Sequence, residues 1–205
     1  MTDPHAVTTM EALEGIYGEP AHRSLIKELD HISDHYRAFI EAAPFVVIAS
    51  VGEEGLDCSP RGDPAGFVHV RDDKTVQIPD RRGNNRIDTL RNIVRDPRVS
   101  LLFLIPGIGE TLRINGRAEI TTDPDLCATF AINGKTPATV LNVSVDRVYF
   151  QCQKALARSR LWARETQIER DRLPSTGTII KALDDAFDAA AYDANYPEHM
   201  AKTIY

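Results

Sequence analysis

The chain has 205 residues, 42% of them hydrophobic and 26% charged, and its formal net charge is −6 at pH 7. This length and composition predict one folded domain with appended segments. The acidic balance argues against a nucleic-acid or anionic-membrane binder, because such proteins carry a basic excess.

The first 43 residues are predicted to be helical. A short helix begins at Met10 and ends before Pro20, and residues 24–32 and 34–43 carry apolar side chains at helical spacing. Pro44 ends the last of these patterns. We expect residues 1–43 to form a helical cap over the domain that follows.

From residue 45 onward the pattern changes to short β-rich runs separated by turns. The runs lie at 45–51, 56–60, 66–70, 75–79, 98–105, 111–121 and 138–150. A helix over 87–95 is interposed before the strand at 98–105. Because tight turns join most of these strands, the sequence predicts an antiparallel barrel and not a doubly wound sheet. The predicted fold class is mainly β with flanking helices.

The last 42 residues form a third region, 164–205, after a domain that spans 44–163. Residues 164–175 are charged and polar, which predicts a connecting segment. Residues 178–192 carry a helical apolar face that includes Ile179, Leu183 and Phe187. This helix is a candidate for packing on a partner subunit or for covering a pocket.

The first candidate binding motif lies where the strand at 75–79 gives way to the helix at 87–95. It reads Asp80, Arg81, Arg82, Gly83, Asn84, Asn85, Arg86. Arg82 and Arg86 are suited to a phosphate dianion, and Gly83 lets the backbone come close to a ligand. Asn84 or Asn85 would cap the helix while donating to the anion. The alternative is a solvated loop in which Asn84 is a plain helix cap.

A second motif, Ser59-Pro60-Arg61-Gly62-Asp63, ends the strand at 56–60. Ser59 offers a hydroxyl, Arg61 suits a ring edge or a phosphate, and Gly62 lets the backbone approach a flat ring. The alternative is a strand-end turn in which Arg61 pairs with Asp63.

A third cluster contains Lys154, Arg158, Arg160 and the only tryptophan, Trp162. Lys154 and Arg158 are four residues apart and share a helix face, where like charges repel unless an anion lies between them. Trp162 is placed to stack on Arg158 or on a ligand ring. The alternative is an exposed basic helix with Trp162 as a core anchor.

Other kinds of site are not indicated. The three cysteines include no CxxC pair, which predicts reduced thiols, and the pair His31 and His35 lacks a third metal ligand. No metal site and no catalytic triad is predicted. Since neither a signal peptide nor an apolar run of about 20 residues is present, we expect a cytoplasmic protein.

These motifs occur in a characteristic order. Ser-Pro-Arg-Gly at 59–62 and Arg-Arg-Gly-Asn-Asn-Arg at 81–86 precede Asp-Pro-Arg-Val-Ser-Leu-Leu-Phe at 96–103 and Leu-Arg-Ile-Asn-Gly-Arg-Ala-Glu at 112–119. Over residues 45–150 the chain resembles the pyridoxamine 5′-phosphate oxidase-like, FMN-binding split-barrel flavoproteins. The resemblance implies a six-stranded antiparallel split barrel of Greek-key type. It also implies a homodimer with FMN at the subunit interface.

The resemblance also implies roles for particular residues. The loop from Asp80 to Arg86 would hold the FMN phosphate, chiefly through Asn84, Asn85 and Arg86 with Arg82 nearby. Arg61, with Ser59 and Gly62, would lie near the flavin or its phosphate. Thr111 would contact the flavin across the dimer, and Lys154 and Arg158 would come from the partner subunit.

Two departures bear on the reaction. In true pyridoxamine 5′-phosphate oxidases an Arg-x-His pair near the C-terminus handles the substrate, and the comparable region, 156–162, contains no histidine. The usual Ser-Arg-Lys of the phosphate site is replaced by Asn84-Asn85-Arg86. These departures argue against pyridoxamine 5′-phosphate as the substrate.

The resulting prediction is an FMN-dependent oxidoreductase acting on an unidentified small molecule, with no catalytic acid or base assigned. One alternative is a non-catalytic module that binds or senses flavin. A second is a split-barrel protein for the deazaflavin F420 or for haem. Haem is disfavoured because no histidine occupies a clear axial position.

Overall fold

The computed structural model describes residues 3–205 and contains one antiparallel sheet of seven strands. The strands are β1 Phe45–Gly52, β2 Gly55–Gly62, β3 His69–Asp72, β4 Thr75–Asp80, β5 Arg98–Leu104, β6 Thr111–Thr121 and β7 Thr139–Gln151. Their order across the sheet is β2-β1-β5-β6-β7-β4-β3. The predicted mainly β class is confirmed. The sheet has seven strands in place of the six expected, and β2 and β3 are its two edges, so hydrogen bonding does not close the barrel.

Helices flank this sheet, and α3, α4 and α5 pack against its strands. They are α1 Met10–Tyr17, α2 His22–Leu25, α3 Asp34–Ala42, α4 Asp88–Arg95, α5 Pro124–Thr129, α6 Lys154–Ser159, α7 Thr176–Lys181 and α8 Ala189–Thr203, with single 3-10 turns at Arg164–Thr166 and Arg170–Arg172. Every residue of α1 is exposed, whereas α3 buries Tyr36 and Ile40. None of the helices within residues 3–205 is long and apolar enough to cross a bilayer.

The core forms because alternate residues of the strands point to one face of the sheet. Val46 and Ile48 of β1 and Leu112 and Ile114 of β6 are fully buried. The helix α4 packs on β1, where the amide nitrogen Nδ2 of Asn92 donates to Ser50 Oγ at 3.0 Å. This buried contact holds α4 against β1.

Two predicted helices differ from the structure. The helix expected over 24–32 ends at Leu25, because Leu29 instead exchanges two backbone hydrogen bonds with Val148 of β7 at 3.0 and 2.8 Å. The helix expected over 178–192 is divided into α7 and α8. Asp188 caps α8 by accepting from the backbone N–H of Ala191 at 3.0 Å, which starts a new helix.

A β-bulge in β6 depends on a glycine. The β6–β7 register shifts between Asn115 and Gly116, and a Cβ added at Gly116 would lie 2.0 Å from the carbonyl oxygen of Ser144. The Ser144 carbonyl group belongs to the backbone of β7, so it cannot rotate away from an added methyl group as a flexible side chain would. Gly116 is therefore required for β6 and β7 to pair through the bulge.

We expect Gly116→Ala to lower the free energy of unfolding by about 1–3 kcal/mol, since the methyl group forces the two strands apart. Urea denaturation measures this loss. Gly15→Ala is the matched control, because a Cβ there meets no atom within 4 Å and alanine favours the helix. Equal stability of the two variants would contradict the packing argument.

Candidate functional site

A cavity of about 800 Å³ opens where the end of β2 faces the end of β4. The segment 79–90, the segment 135–139 before β7 and the last two residues, Ile204 and Tyr205, complete its lining. Nine of the twelve predicted site residues line it: Ser59, Arg61, Gly62, Asp80, Arg82, Gly83, Asn84, Asn85 and Arg86. The two motifs are thus neighbours in space, although β1, β5, β6 and β7 separate their strands in the sheet.

An ion pair connects these two non-adjacent strand ends. Asp63 follows β2, and its Oδ2 accepts from Arg81 Nε, just after β4, at 2.7 Å. The Asp63 side chain is 1% exposed and that of Arg81 is 18% exposed. Arg81 also donates to the carbonyl oxygen of Phe130 at 2.7 Å. Arg81 is therefore occupied in holding the cavity walls together.

Arg61 has a different partner from the one suggested by its neighbours in sequence. Its Nη2 lies 3.6 Å from Asp80 Oδ1. The sequence alternative paired Arg61 with Asp63, but Asp63 pairs with Arg81. Arg61 Nη1 donates to Ser59 Oγ at 2.9 Å. The pairing of Arg61 with Asp63 is therefore wrong, because Arg81, just after β4, bonds to the Asp63 carboxylate.

Two buried polar atoms at the cavity have no hydrogen-bond partner. Among residues 3–205, only Arg61 Nε and Thr139 Oγ1 are buried side-chain nitrogen or oxygen atoms in this condition. Both residues line the cavity, and Thr139 lies opposite Asp80 in the β4–β7 pairing. Buried polar groups normally have partners. The chain therefore leaves an N–H donor and a hydroxyl unsatisfied in two residues that line the cavity.

Asp80 is a neighbour of both residues, because its Oδ1 lies 3.6 Å from Arg61 Nη2 and Thr139 lies opposite it in the β4–β7 pairing. Its side chain is 20% exposed, and burial raises the pKa of Asp80 above its ordinary value although the charge of Arg61 opposes the shift. The cavity wall therefore stabilises the negative charge of Asp80 poorly. A ligand that places further negative charge here needs cations close by.

The loop between β4 and α4 is held by its own side chains. Asn84 Oδ1 accepts from the backbone N–H of Arg86 at 3.0 Å, and Asn85 and Ile87 adopt positive φ values of 60° and 52°. Ile87 occupies the position before α4, and no side chain caps that helix. The expected capping by Asn84 or Asn85 is therefore wrong, because Asn84 stabilises the loop instead. The first-turn N–H groups of α4 remain without a capping side chain.

The remaining loop residues differ in availability. Arg86 Nε donates to Asp88 Oδ2 at 2.8 Å, and its side chain is 76% exposed. Arg82 is exposed and pairs with no carboxylate in the part of the chain that the structure describes. Gly83 does not have positive φ, and a Cβ there would meet nothing within 4 Å. The role of glycine at this position stays a prediction.

The other three predicted site residues lie outside the cavity. Thr111 is buried at the start of β6 and pairs with Gln151, whereas Lys154 and Arg158 are exposed on α6. Trp162 fastens the segment after α6 by donating from Nε1 to the carbonyl oxygen of Ile108 at 2.8 Å. Within one chain, Thr111, Lys154 and Arg158 therefore lie away from the cavity. Their contacts with a flavin across a dimer stay predictions.

Sequence patterns missed several lining residues. Asp57 shares a face of β2 with Ser59 and Arg61, and this alternation was a signal that could have identified it. Thr139 and Tyr205 have no comparable local signal, since tertiary contacts bring them to the cavity. No group of three or more His, Cys, Asp or Glu side chains within residues 3–205 is arranged to hold a metal ion.

The ion pair is testable through stability. We expect Arg81→Met to lower the free energy of unfolding by about 3–5 kcal/mol, because Asp63 is left buried without its partner. Arg82→Met is the control on the same loop and should cost less than about 0.5 kcal/mol, as is usual for an exposed side chain. Chemical denaturation compares them, and equal losses would show that the pair does not hold the walls.

These features define an antiparallel split-barrel protein whose cavity is lined by four arginines, one lysine and three aspartates. The family model of pyridoxamine 5′-phosphate oxidase matches residues 32–152, which is more than half of the chain. The protein therefore belongs to the pyridoxamine 5′-phosphate oxidase family, and the predicted resemblance is confirmed at that level. Among curated proteins, none is significantly similar to this chain.

Similar solved structures include HupZ from Group A Streptococcus, at 20% identity and a TM-score of 0.49, covering 59% of this chain and 94% of that one. A candidate pyridoxamine 5′-phosphate oxidase from Lactobacillus delbrueckii has 20% identity and a TM-score of 0.47, with 60% and 98% covered. An F420 reductase has 18% identity and a TM-score of 0.42, with 58% and 98% covered.

Proposed function

We propose that this protein binds FMN in the cavity between β2 and the β4–α4 loop and acts as a flavin-dependent oxidoreductase on a small molecule. The observation that carries the proposal is the cavity itself, into which nine of the twelve predicted site residues converge. Its volume of about 800 Å³ lies within the usual range for small-molecule and cofactor sites.

The donor set fits a phosphorylated flavin. Arginine side chains, asparagine amides and the uncapped first turn of α4 are the groups that bind a phosphate. Two residues that line the cavity, Arg61 and Thr139, also carry buried polar atoms that the chain leaves unpaired. Arg82 has no carboxylate partner among the described residues, so it adds positive charge without first breaking an ion pair.

In this proposal the flavin supplies the hydride chemistry when bound. The residues of the chain bind and orient it. Arg86 would hold the phosphate in place of Asp88, and Arg61 would stay beside Asp80 at the buried end of the cavity. Pyridoxamine 5′-phosphate is not proposed as the substrate, because residues 156–162 contain no histidine.

We also propose that the active form is a homodimer with FMN at the subunit interface. Its support is the separate location of Thr111, Lys154 and Arg158, which do not line the cavity of their own chain. Lys154 and Arg158 form no ion pair within residues 3–205, so they are available to an anion held by a partner subunit.

We expect the purified protein to retain FMN, or to bind added FMN with a change in the visible flavin absorbance and fluorescence. Titration with FMN, riboflavin and F420 shows which cofactor the protein binds and whether the phosphate contributes to binding. Riboflavin should bind at least tenfold more weakly than FMN, because it lacks the phosphate, which corresponds to about 1.4 kcal/mol. Binding of F420 without FMN would replace the proposed cofactor, and binding of neither would overturn the proposal.

Arg86→Ala tests the phosphate contact directly. It should raise the FMN dissociation constant at least tenfold, since one charge pair with the phosphate is lost and Asp88 keeps only Arg91, at 4.0 Å, as a cationic partner. Arg95→Ala at the other end of α4 is the control, because Arg95 pairs with Glu53 and does not line the cavity. A change of less than about threefold in Arg86→Ala would remove Arg86 from the site.

A further inference from the structure

The segment that follows the barrel returns to the cavity at its far end. Of residues 168–205, Tyr205 is the one described residue that forms hydrogen bonds to residues 3–163. Ile204 and Tyr205 both line the cavity. The polar attachment of the α7–α8 segment to the barrel is therefore concentrated in one residue at the proposed ligand site.

Three contacts hold Tyr205 there. Its hydroxyl donates to Asp63 Oδ1 at 2.5 Å, the ammonium group of Lys135 donates to its carbonyl oxygen, and the guanidinium carbon of Arg81 lies 5.9 Å from its ring centroid. The Asp63 carboxylate thus accepts from Arg81 on one oxygen and from Tyr205 on the other. The ring is fixed beside the ion pair that joins the cavity walls.

The segment behind Tyr205 is itself tied together. Asp193 of α8 accepts from the backbone N–H of Gly177 at 2.9 Å and from the hydroxyl of Ser175. A Cβ at Gly177 would lie 2.6 Å from the carbonyl oxygen of Ala189, so α7 and α8 pack closely. Movement of Tyr205 is consequently coupled to a packed helix pair.

We infer that Tyr205 is a ligand-binding residue that latches the α7–α8 segment over the cavity, its ring forming part of the wall against which the flat ring system of the ligand packs. This inference rests on the proposed function for the identity of the ligand. The latch itself rests on the contacts of Tyr205 with Asp63, Lys135 and Arg81. A phenol ring offers both an apolar face for stacking and a hydroxyl that fixes its orientation.

The latch stays closed at physiological pH. The hydrogen bond to Asp63 and burial raise the pKa of Tyr205 above its ordinary value, and the charge of Arg81 opposes them. Since only the protonated phenol donates to Asp63, its contribution is fully present below the ordinary value of 10.0 and is lost as pH rises through the raised pKa.

The test compares Tyr205→Ala, Tyr205→Phe and, as a matched control, Tyr17→Ala, whose parent side chain is 80% exposed on α1. Stopped-flow displacement should show FMN leaving Tyr205→Ala at least tenfold faster than wild type. Tyr205→Phe retains the ring but loses the bond to Asp63, so its rate of FMN release should lie between those of wild type and Tyr205→Ala. Tyr17→Ala should release FMN as wild type does. Unchanged release from Tyr205→Ala would overturn the ligand contact.

A second measurement needs no ligand. Hydrogen exchange of residues 168–205 in the FMN-free protein should be faster in Tyr205→Ala than in wild type or Tyr17→Ala. Equal exchange would overturn the latch. If wild type binds no FMN while exchange still responds to Tyr205→Ala, the proposed function fails and the latch stands, so the two failures are distinguishable.

Discussion

The buried ion pair between Asp63 and Arg81 is the interaction on which the site depends. The sheet ends in two unpaired edges, and no backbone ladder joins β2 to β4. The side chains after these strands make that connection instead, at 2.7 Å and almost out of solvent. Because a buried charge without its partner is costly, the pair permits little variation in the separation of the two strand ends. The width of the cavity follows from that constraint.

Charge in the cavity is largely neutralised within the chain. Arg61 faces Asp80, Arg81 faces Asp63 and Arg86 faces Asp88, while Arg82 has no carboxylate partner in the described part. An anionic ligand therefore competes with carboxylates for most of its contacts. Such a site favours a ligand with several anchoring points over a free inorganic anion. A ring system joined to a phosphate meets that requirement.

The motifs were predictable, but their pairings were not. Arginine and glycine at the end of β2, and the loop from Asp80 to Arg86, are local signals that a strand ends and that arginines gather there. The sequence suggested that Arg61 pairs with Asp63, two residues away. Asp63 instead accepts a hydrogen bond from Arg81, which is 18 residues away. Leu29 likewise follows a helical pattern and instead bonds to Val148, because β7 offers it a backbone partner.

The sequence by itself determined the class of fold, the limits of most strands and the two motifs that line the cavity, because strand alternation, turns and arginine-rich loops are encoded over a few neighbouring residues. Tertiary structure alone decided which carboxylate faces each arginine, that Thr139 lies opposite Asp80, and that Tyr205 reaches Asp63 from 142 residues away. Those contacts depend on how a seven-stranded sheet curves to bring its distant strand ends together, and no local pattern carries that information.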